Sequence, residues 1–332
     1  MRVARIVGQG TSFYHCVSRI VDKQMKLTAT EKSRFNALMK KVAAFCGVEI
    51  LSYALMNNHI HLLLMVPEKR EYSEDEVTER IRALYGDIRA DEFAEQLRQY
   101  HREELENNVA VLMRKYTYRM HDLSQFMKTL MQRATMSYNG RHDRTGHLWE
   151  NRFKSILIEG KKGALETMTA YIELNAVRAG IVETPEEYRF CSLGAAVAGD
   201  KPARRGIELL VQVITGQTHS WDTVLKIYRK HVYMQAEMHT KKGNTIDKEK
   251  IAEVLENGGK LSFVELMHCK VRYFSDGVVL GSQVFVEDVF QKHRNQFGLK
   301  RKTGARKPRY GGLGDIYTLR GLRKNPVSVS PG

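Results

Sequence analysis

His59-Ile60-His61 is the sequence feature with the clearest chemical potential. Side chains at i and i+2 of a strand share one face, so both imidazoles point the same way, about 7 Å apart at the backbone. Two neutral rings at that separation can converge on one cation. They serve equally as half-buried histidines at a strand end, and a short His-x-His decides nothing by itself.

Tyr171-Ile172-Glu173-Leu174-Asn175 is the second element. On a helix, residues four apart stack on one face, which aligns Tyr171, Asn175 and Arg178 beside an apolar stripe of Leu165, Met168, Ile172, Ala176 and Ala179. A phenolate can attack phosphorus, an amide oxygen can complete a hard-cation site, and a guanidinium can grip a phosphate. An ordinary half-buried tyrosine with polar neighbours fits the helix as well. The third element is Gly146-His147-Leu148-Trp149-Glu150-Asn151-Arg152-Phe153-Lys154. This aromatic set among basic residues, with Trp149, Arg152 and Lys154, suits stacking on unpaired bases and contact with backbone phosphates. It reads equally well as a core tryptophan leading into a strand.

The elements that must position these groups follow from periodicity. Phe13–Arg19 predicts a strand, and Phe35, Leu38, Met39, Val42 and Phe45 predict a helix that Thr28 or Thr30 caps and Gly47 closes. Val48–Met56 and His59–Val66 predict a hairpin about Asn57-Asn58, apolar enough on both faces to lie centrally. Leu123, Phe126, Met127, Leu130 and Met131 predict a helix, Phe153–Glu159 a fourth strand, and Ala164–Ala179 one continuous helix stopped by Gly180. Strand, helix, hairpin, helix, strand, helix is the order of an α+β, ferredoxin-like split βαβ sheet with helices on one face. Residues of about 68–120 are densely charged with sparse apolar positions, which predicts a helical insertion over the core. Trp221–Met238 and Lys248–Leu255 predict helices, and Phe263–Phe290 a small helical unit.

Composition narrows the partners. The chain has 332 residues and a net charge of +15, with an isoelectric point near 9.6. That excess favours a polyanion, and nucleic acid is the usual soluble one. The longest apolar runs are too short to cross a bilayer and the first residues lack a secretory pattern, so the expectation is a cytoplasmic, nucleoid-associated protein with no membrane partner. The scattered Cys16, Cys46, Cys191 and Cys269 predict neither zinc ribbon nor disulfide framework.

Four blocks in one order carry a family resemblance. They are Gly10-Thr-Ser-Phe-Tyr-His15, Leu55-Met-Asn-Asn-His-Ile-His61, Gly146-His-Leu-Trp-Glu-Asn-Arg-Phe-Lys-Ser155 and Tyr171-Ile-Glu-Leu-Asn-Ala-Val-Arg-Ala-Gly180. Together they resemble the REP-associated tyrosine transposases, which are single-tyrosine HUH-type transposases. The resemblance implies that His59 and His61 are the metal-binding pair and Tyr171 the nucleophile. Asn175 matches a third, amide-type ligand, although Ala176 stands where proline is common. It further implies Mg²⁺ or Mn²⁺ as cofactor, single-stranded or hairpin DNA as substrate, and a 5′-phosphotyrosine intermediate. Metal, Arg178 or a nearby base could activate the phenol.

The expected organisation is a catalytic domain over residues 1–195 with the insertion at about 68–120, a helical region over 196–299, and a basic flexible tail over 300–332. Lys300, Arg301, Lys302, Arg306 and Lys307 of that tail are candidate phosphate contacts, alongside Trp149, Arg152, Lys154 and Arg178. Monomer and homodimer both stay open. The competing expectation is a hairpin-binding protein with little catalytic activity; a water-activating metal hydrolase ranks last, because no further histidine cluster accompanies His59 and His61.

Overall fold

A computed structural model describes residues 6–234, 277–307 and 315–319. The first half follows the expected order. Strand β1 (Ser12–Arg19) leads to helix α1 (Ala29–Cys46), then to the hairpin β2 (Glu49–Leu55) and β3 (His59–Val66). Thr28 caps α1 by accepting a hydrogen bond from Glu31 N–H at 3.3 Å. Gly47 ends it at φ +63°, a left-handed conformation that suits glycine. Helix α5 (Leu123–Arg141), strand β4 (Lys154–Ile158) and helix α6 (Lys162–Glu173) complete the pattern.

The sheet order begins β2-β3-β1-β4, with β1 antiparallel to both β3 and β4. That is the split βαβ arrangement of a mixed α+β fold. The register assigns the faces, because residues directly opposite in antiparallel strands point the same way. Tyr53 pairs with Leu62, and the Tyr53 hydroxyl accepts from Asn36 of α1. Ser52 and Ala54 point oppositely, with Leu63 and His61, and Ser52 Oγ donates to Glu173 of α6. Thus α1 and α5, packed on each other, share the expected face. Helix α6, which follows β4, covers the other.

The insertion is helical as expected: α2 (Glu74–Tyr85), α3 (Asp87–Arg102) and α4 (Glu106–Thr117). Its sparse apolar residues are the ones that pack. Val77, Ile81, Leu84, Phe93, Leu97, Leu112 and Tyr116 are buried and join the central core.

Three features depart from the periodicity reading. The helix expected to run unbroken to Ala179 breaks at Leu174, where ψ is 3°, into α6 and a single turn, α7 (Asn175–Arg178). The cause is local: the Asn175 amide donates to the carbonyls of Tyr171 and Ile172, at 2.9 and 3.2 Å, and so caps α6. Within the region expected to be helical, 196–299, residues 201–215 form a helix that no stated period marked, while the helix expected from Trp221 is present. After the short α8 (Ser192–Val197), α9 (Lys201–Thr215) covers the β2 edge so closely that a Cβ on Gly206 would lie 2.1 Å from the Ile50 carbonyl oxygen. Helix α10 (Trp221–Met234) packs against α6 and α9.

Finally, β5 (Val279–Gly281) adds parallel to β4, and β6 (Tyr317–Leu319) pairs with β5, giving a six-stranded sheet. Helix α11 (Gln283–Lys292) follows β5, so a strand as well as a helix lies in the expected small helical unit. The helix expected at Lys248–Leu255, the end of the one expected at Trp221–Met238, residues 263–276 of the expected small helical unit, and residues 308–314 and 320–332 of the tail lie outside the described residues.

Candidate active site

The face of the sheet covered by α6 gathers the chemistry. Pairing of Arg19 with His59 and of Val17 with His61 puts all four side chains on that face, with His15 two residues along β1. The His59 and His61 rings lie edge to face, 4.9 Å apart between centroids. From α6, Tyr171 presents its ring 5.6 Å from His61 and 5.8 Å from His15, again edge to face. Residues more than a hundred positions apart therefore meet within one chain.

His15 is the residue that sequence reasoning passed over. It is fully buried, and its Nε2 lies 2.9 Å from Nδ1 of His61. The two rings are within 10° of parallel. Stacked faces cannot bring two nitrogens that close, so the rings meet edge to edge through an N–H···N hydrogen bond. The available signal was its place two residues before Val17 on a strand read as aromatic and β-branched. Arg19 was missed for a similar reason: only the register sets this exposed cation directly beside His59.

Both predicted histidines are held neutral. Burial, then the charges of Arg19 and Arg178, push the His59 imidazole down to about 4. Burial, then His59, His15, Arg178 and Arg19, hold His61 well below its ordinary range. A neutral imidazole is the form that binds a cation. His59 Nδ1 meets Asn58 Oδ1 at 2.6 Å, and His61 Nδ1 meets His15, so each ring presents its Nε2 edge.

Asn175 and Arg178 sit beside the phenol but are engaged with each other. Arg178 donates from Nη2 to Asn175 Oδ1 at 2.6 Å, and its guanidinium carbon lies 4.4 Å over the Tyr171 ring. Burial pulls the guanidinium below its usual range, while the charge and hydrogen bonding of the Tyr171 phenol hold it up. The oxygen expected to face a cation thus faces Arg178. Among the described residues no group of three or more His, Cys, Asp or Glu side chains could hold a metal ion.

Tyr171 is mounted firmly. Two residues on, Glu173 is fully buried and accepts from Ser52 Oγ, the Tyr228 hydroxyl and Leu193 N–H at 2.9, 2.5 and 3.1 Å. Burial raises its carboxyl above the ordinary range against those donors.

The remaining candidates separate into two groups. Lys154 pairs with Val17 on the side away from His61, about 10 Å from it across the sheet, and is exposed on the site's face. Arg152 is exposed just before it. Trp149 is instead half-buried, donates to the Met131 carbonyl and packs edge-on to Phe35. It belongs to the seam between α1 and α5, on the other side of the sheet.

The basic residues 300–307 are not gathered at the site. Nor do they hang free: Glu287 accepts from the N–H groups of Gly304 and Ala305, and Arg306 pairs with Thr318. Arg301 is committed to local carbonyls and the Phe290 and Phe297 rings, whereas Lys300, Lys302, Arg306 and Lys307 are exposed.

Among the described residues, no helix is long and apolar enough to cross a membrane. No curated protein matches the chain. A solved structure of a REP-associated tyrosine transposase bound to a REP hairpin is similar at 15% identity, covering 60% of this chain and 87% of that one, with a TM-score of 0.38. The family model of IS200-like transposases matches residues 10–105, a span that holds His15, Arg19, His59 and His61 and stops before Trp149 and Tyr171. The stretch similar to the IS200-like transposases, residues 10–105, is thus under a third of the 332-residue chain.

Proposed function

We propose that the chain is a DNA transposase that cuts and rejoins single-stranded DNA at hairpin elements, with Tyr171 as nucleophile. The observation that carries this reading is the approach of the Tyr171 ring to within 5.6 Å of His61, beside neutral His59 and exposed Arg19. In the proposed step the phenol gives up its proton and its oxygen bonds to phosphorus. The bond from phosphorus to the 3′-oxygen breaks, and that oxygen takes up a proton. A 5′-phosphotyrosine results, and a second 3′-hydroxyl can reverse the exchange on another strand.

His59 and His61 fit a divalent cation as two neutral donors through their Nε2 edges. Bound Mg²⁺ or Mn²⁺ would neutralise charge on a non-bridging phosphate oxygen. Asn175 fits only if Arg178 releases its amide oxygen, which DNA phosphate could bring about by taking the guanidinium bidentately. Arg19 is placed to hold a neighbouring phosphate, and Lys154 the strand leaving across β1 and β4.

The test is incubation of the full chain with a hairpin oligonucleotide carrying single-stranded flanks, in Mn²⁺. A protein–DNA adduct that survives denaturation, and is lost in Tyr171→Phe, is the expected result. Tight binding with no adduct would overturn the nucleophile and leave a hairpin-binding protein of little activity. Free ends without an adduct would point to attack by water.

A further inference from the structure

On the face of the sheet opposite Tyr171, the insertion does more than cover the core. The ends of α2 and α4, α1 and α5 enclose a cleft of about 630 Å³. A second hollow of about 610 Å³ lies along the same side of α5 and shares Gln125, Lys128, Gln132 and Leu148 with the first. The two make one trough. It runs from Tyr118 at the insertion to Arg152, just before β4. From Gln125 to Arg141, α5 alone gives it about 24 Å of floor.

The trough is cationic: Arg34, Arg119, Lys128, Arg133, Arg141 and Arg152 line it. Its two carboxylates are Glu31 and Glu150. Glu31 is already neutralised: burial pushes its carboxyl up, but Arg141, His142 and Arg34 outweigh that and hold it low. Aromatic faces lie among the cations. Tyr118 is 51% exposed, and Arg133 lies 4.7 Å over the Tyr85 ring. Cations spaced along a groove with exposed aromatic and amide side chains between them match an unpaired strand, whose phosphates and base faces alternate. A duplex would hide those base faces.

We propose that this trough is a second, non-catalytic binding groove for single-stranded DNA, built jointly by the insertion and α5. It rests on the reading of the chain as a DNA transposase, and it explains the insertion as a grip on an unpaired stretch away from the cut. The trough opens at Arg152 toward the strand that bears Lys154, so one DNA strand can pass from one face of the sheet to the other around that end.

The experiment uses the full chain and two probes, a twelve-residue oligothymidylate and a blunt twelve-base-pair duplex. Affinity is measured between about 50 and 200 mM salt. Lys128→Ala combined with Arg133→Ala should lower the slope of log K against log salt for oligothymidylate by about 1.4, or about 0.7 for each phosphate no longer neutralised. Lys128→Arg with Arg133→Lys should keep the slope. Tyr118→Ala, at an exposed position, should weaken oligothymidylate binding by about fivefold or more and leave its slope unchanged.

Unchanged affinity and slope in both alanine variants would overturn the groove. Equal loss on the duplex would overturn the choice of an unpaired strand. Because oligothymidylate binding requires no cleavage, these outcomes stand whether or not Tyr171 forms an adduct.

Discussion

His15 Nε2 and His61 Nδ1 approach to 2.9 Å with their rings nearly coplanar. A hydrogen bond between two neutral imidazoles has one donor and one acceptor. If His61 donates through Nδ1, its Nε2 lone pair is free for a cation; if it accepts, its Nε2 carries the proton and cannot bind. Metal binding by His61 therefore requires His15 to be the acceptor. His15 is then a positioning residue. His15→Ala should weaken Mn²⁺ binding by about 10–100-fold in calorimetry, and His15→Gln, which can still accept, should recover part of it. Equal Mn²⁺ affinity in all three proteins would remove His15 from this role.

Acid should destabilise the fold through the same cluster. In the unfolded chain a histidine titrates near 6.5, whereas His59 is held at about 4 and burial holds His61 well below its ordinary range. Their native pKa values are depressed, so this contribution is complete above pH 6.5 and is lost as pH falls toward 4. For His59 the loss between pH 6.5 and pH 5 is on the order of 2 kcal/mol, and His61 adds to it in the same direction. Urea titrations at the two pH values should show it, and His61→Asn should shrink the difference. An identical pH dependence in wild type and variant would refute the assignment.

Asn175 should matter to stability with no metal or DNA present. Its amide nitrogen caps two carbonyls of α6 and its oxygen receives Arg178. Asn175→Ala should cost about 1–3 kcal/mol, read as a lower urea midpoint at constant m-value. Were stability unchanged, the amide would be free for a ligand and the capping account would be wrong.

Glu173 should be the least replaceable side chain on α6. Glu173→Ala strands three buried donors, from Ser52, Tyr228 and Leu193, and should cost about 3–5 kcal/mol. Glu173→Gln keeps the shape and one good acceptor, so it should cost less. Thermal melts that place the two variants together would mean that the network contributes little.

What the sequence disclosed and what it hid divide along physical lines. The His59–Val66 strand, the helix capped by Thr28 and closed by Gly47, and the Tyr171-bearing helix were legible because each rests on period or capping within a few residues. The convergence of Tyr171 on His61 could be inferred from the motif blocks, but not the partnership with His15, which only the register of β1 creates. The break at Leu174 was hidden because it arises from one amide reaching back to two carbonyls, and periodicity does not record that. Strand β5 was lost in a region where its three residues are too few to show alternation.

Glu173 has one more implication. One of its three donors, Tyr228, lies well beyond the last motif block, yet it helps clamp the helix that carries the phenol. A truncated protein ending near residue 195 would keep every motif block and still lose Tyr228 along with α10. The mount of Tyr171 is thus completed by a late-synthesised part of the chain, and the helix that bears it packs against residues beyond the boundary suggested by the motifs.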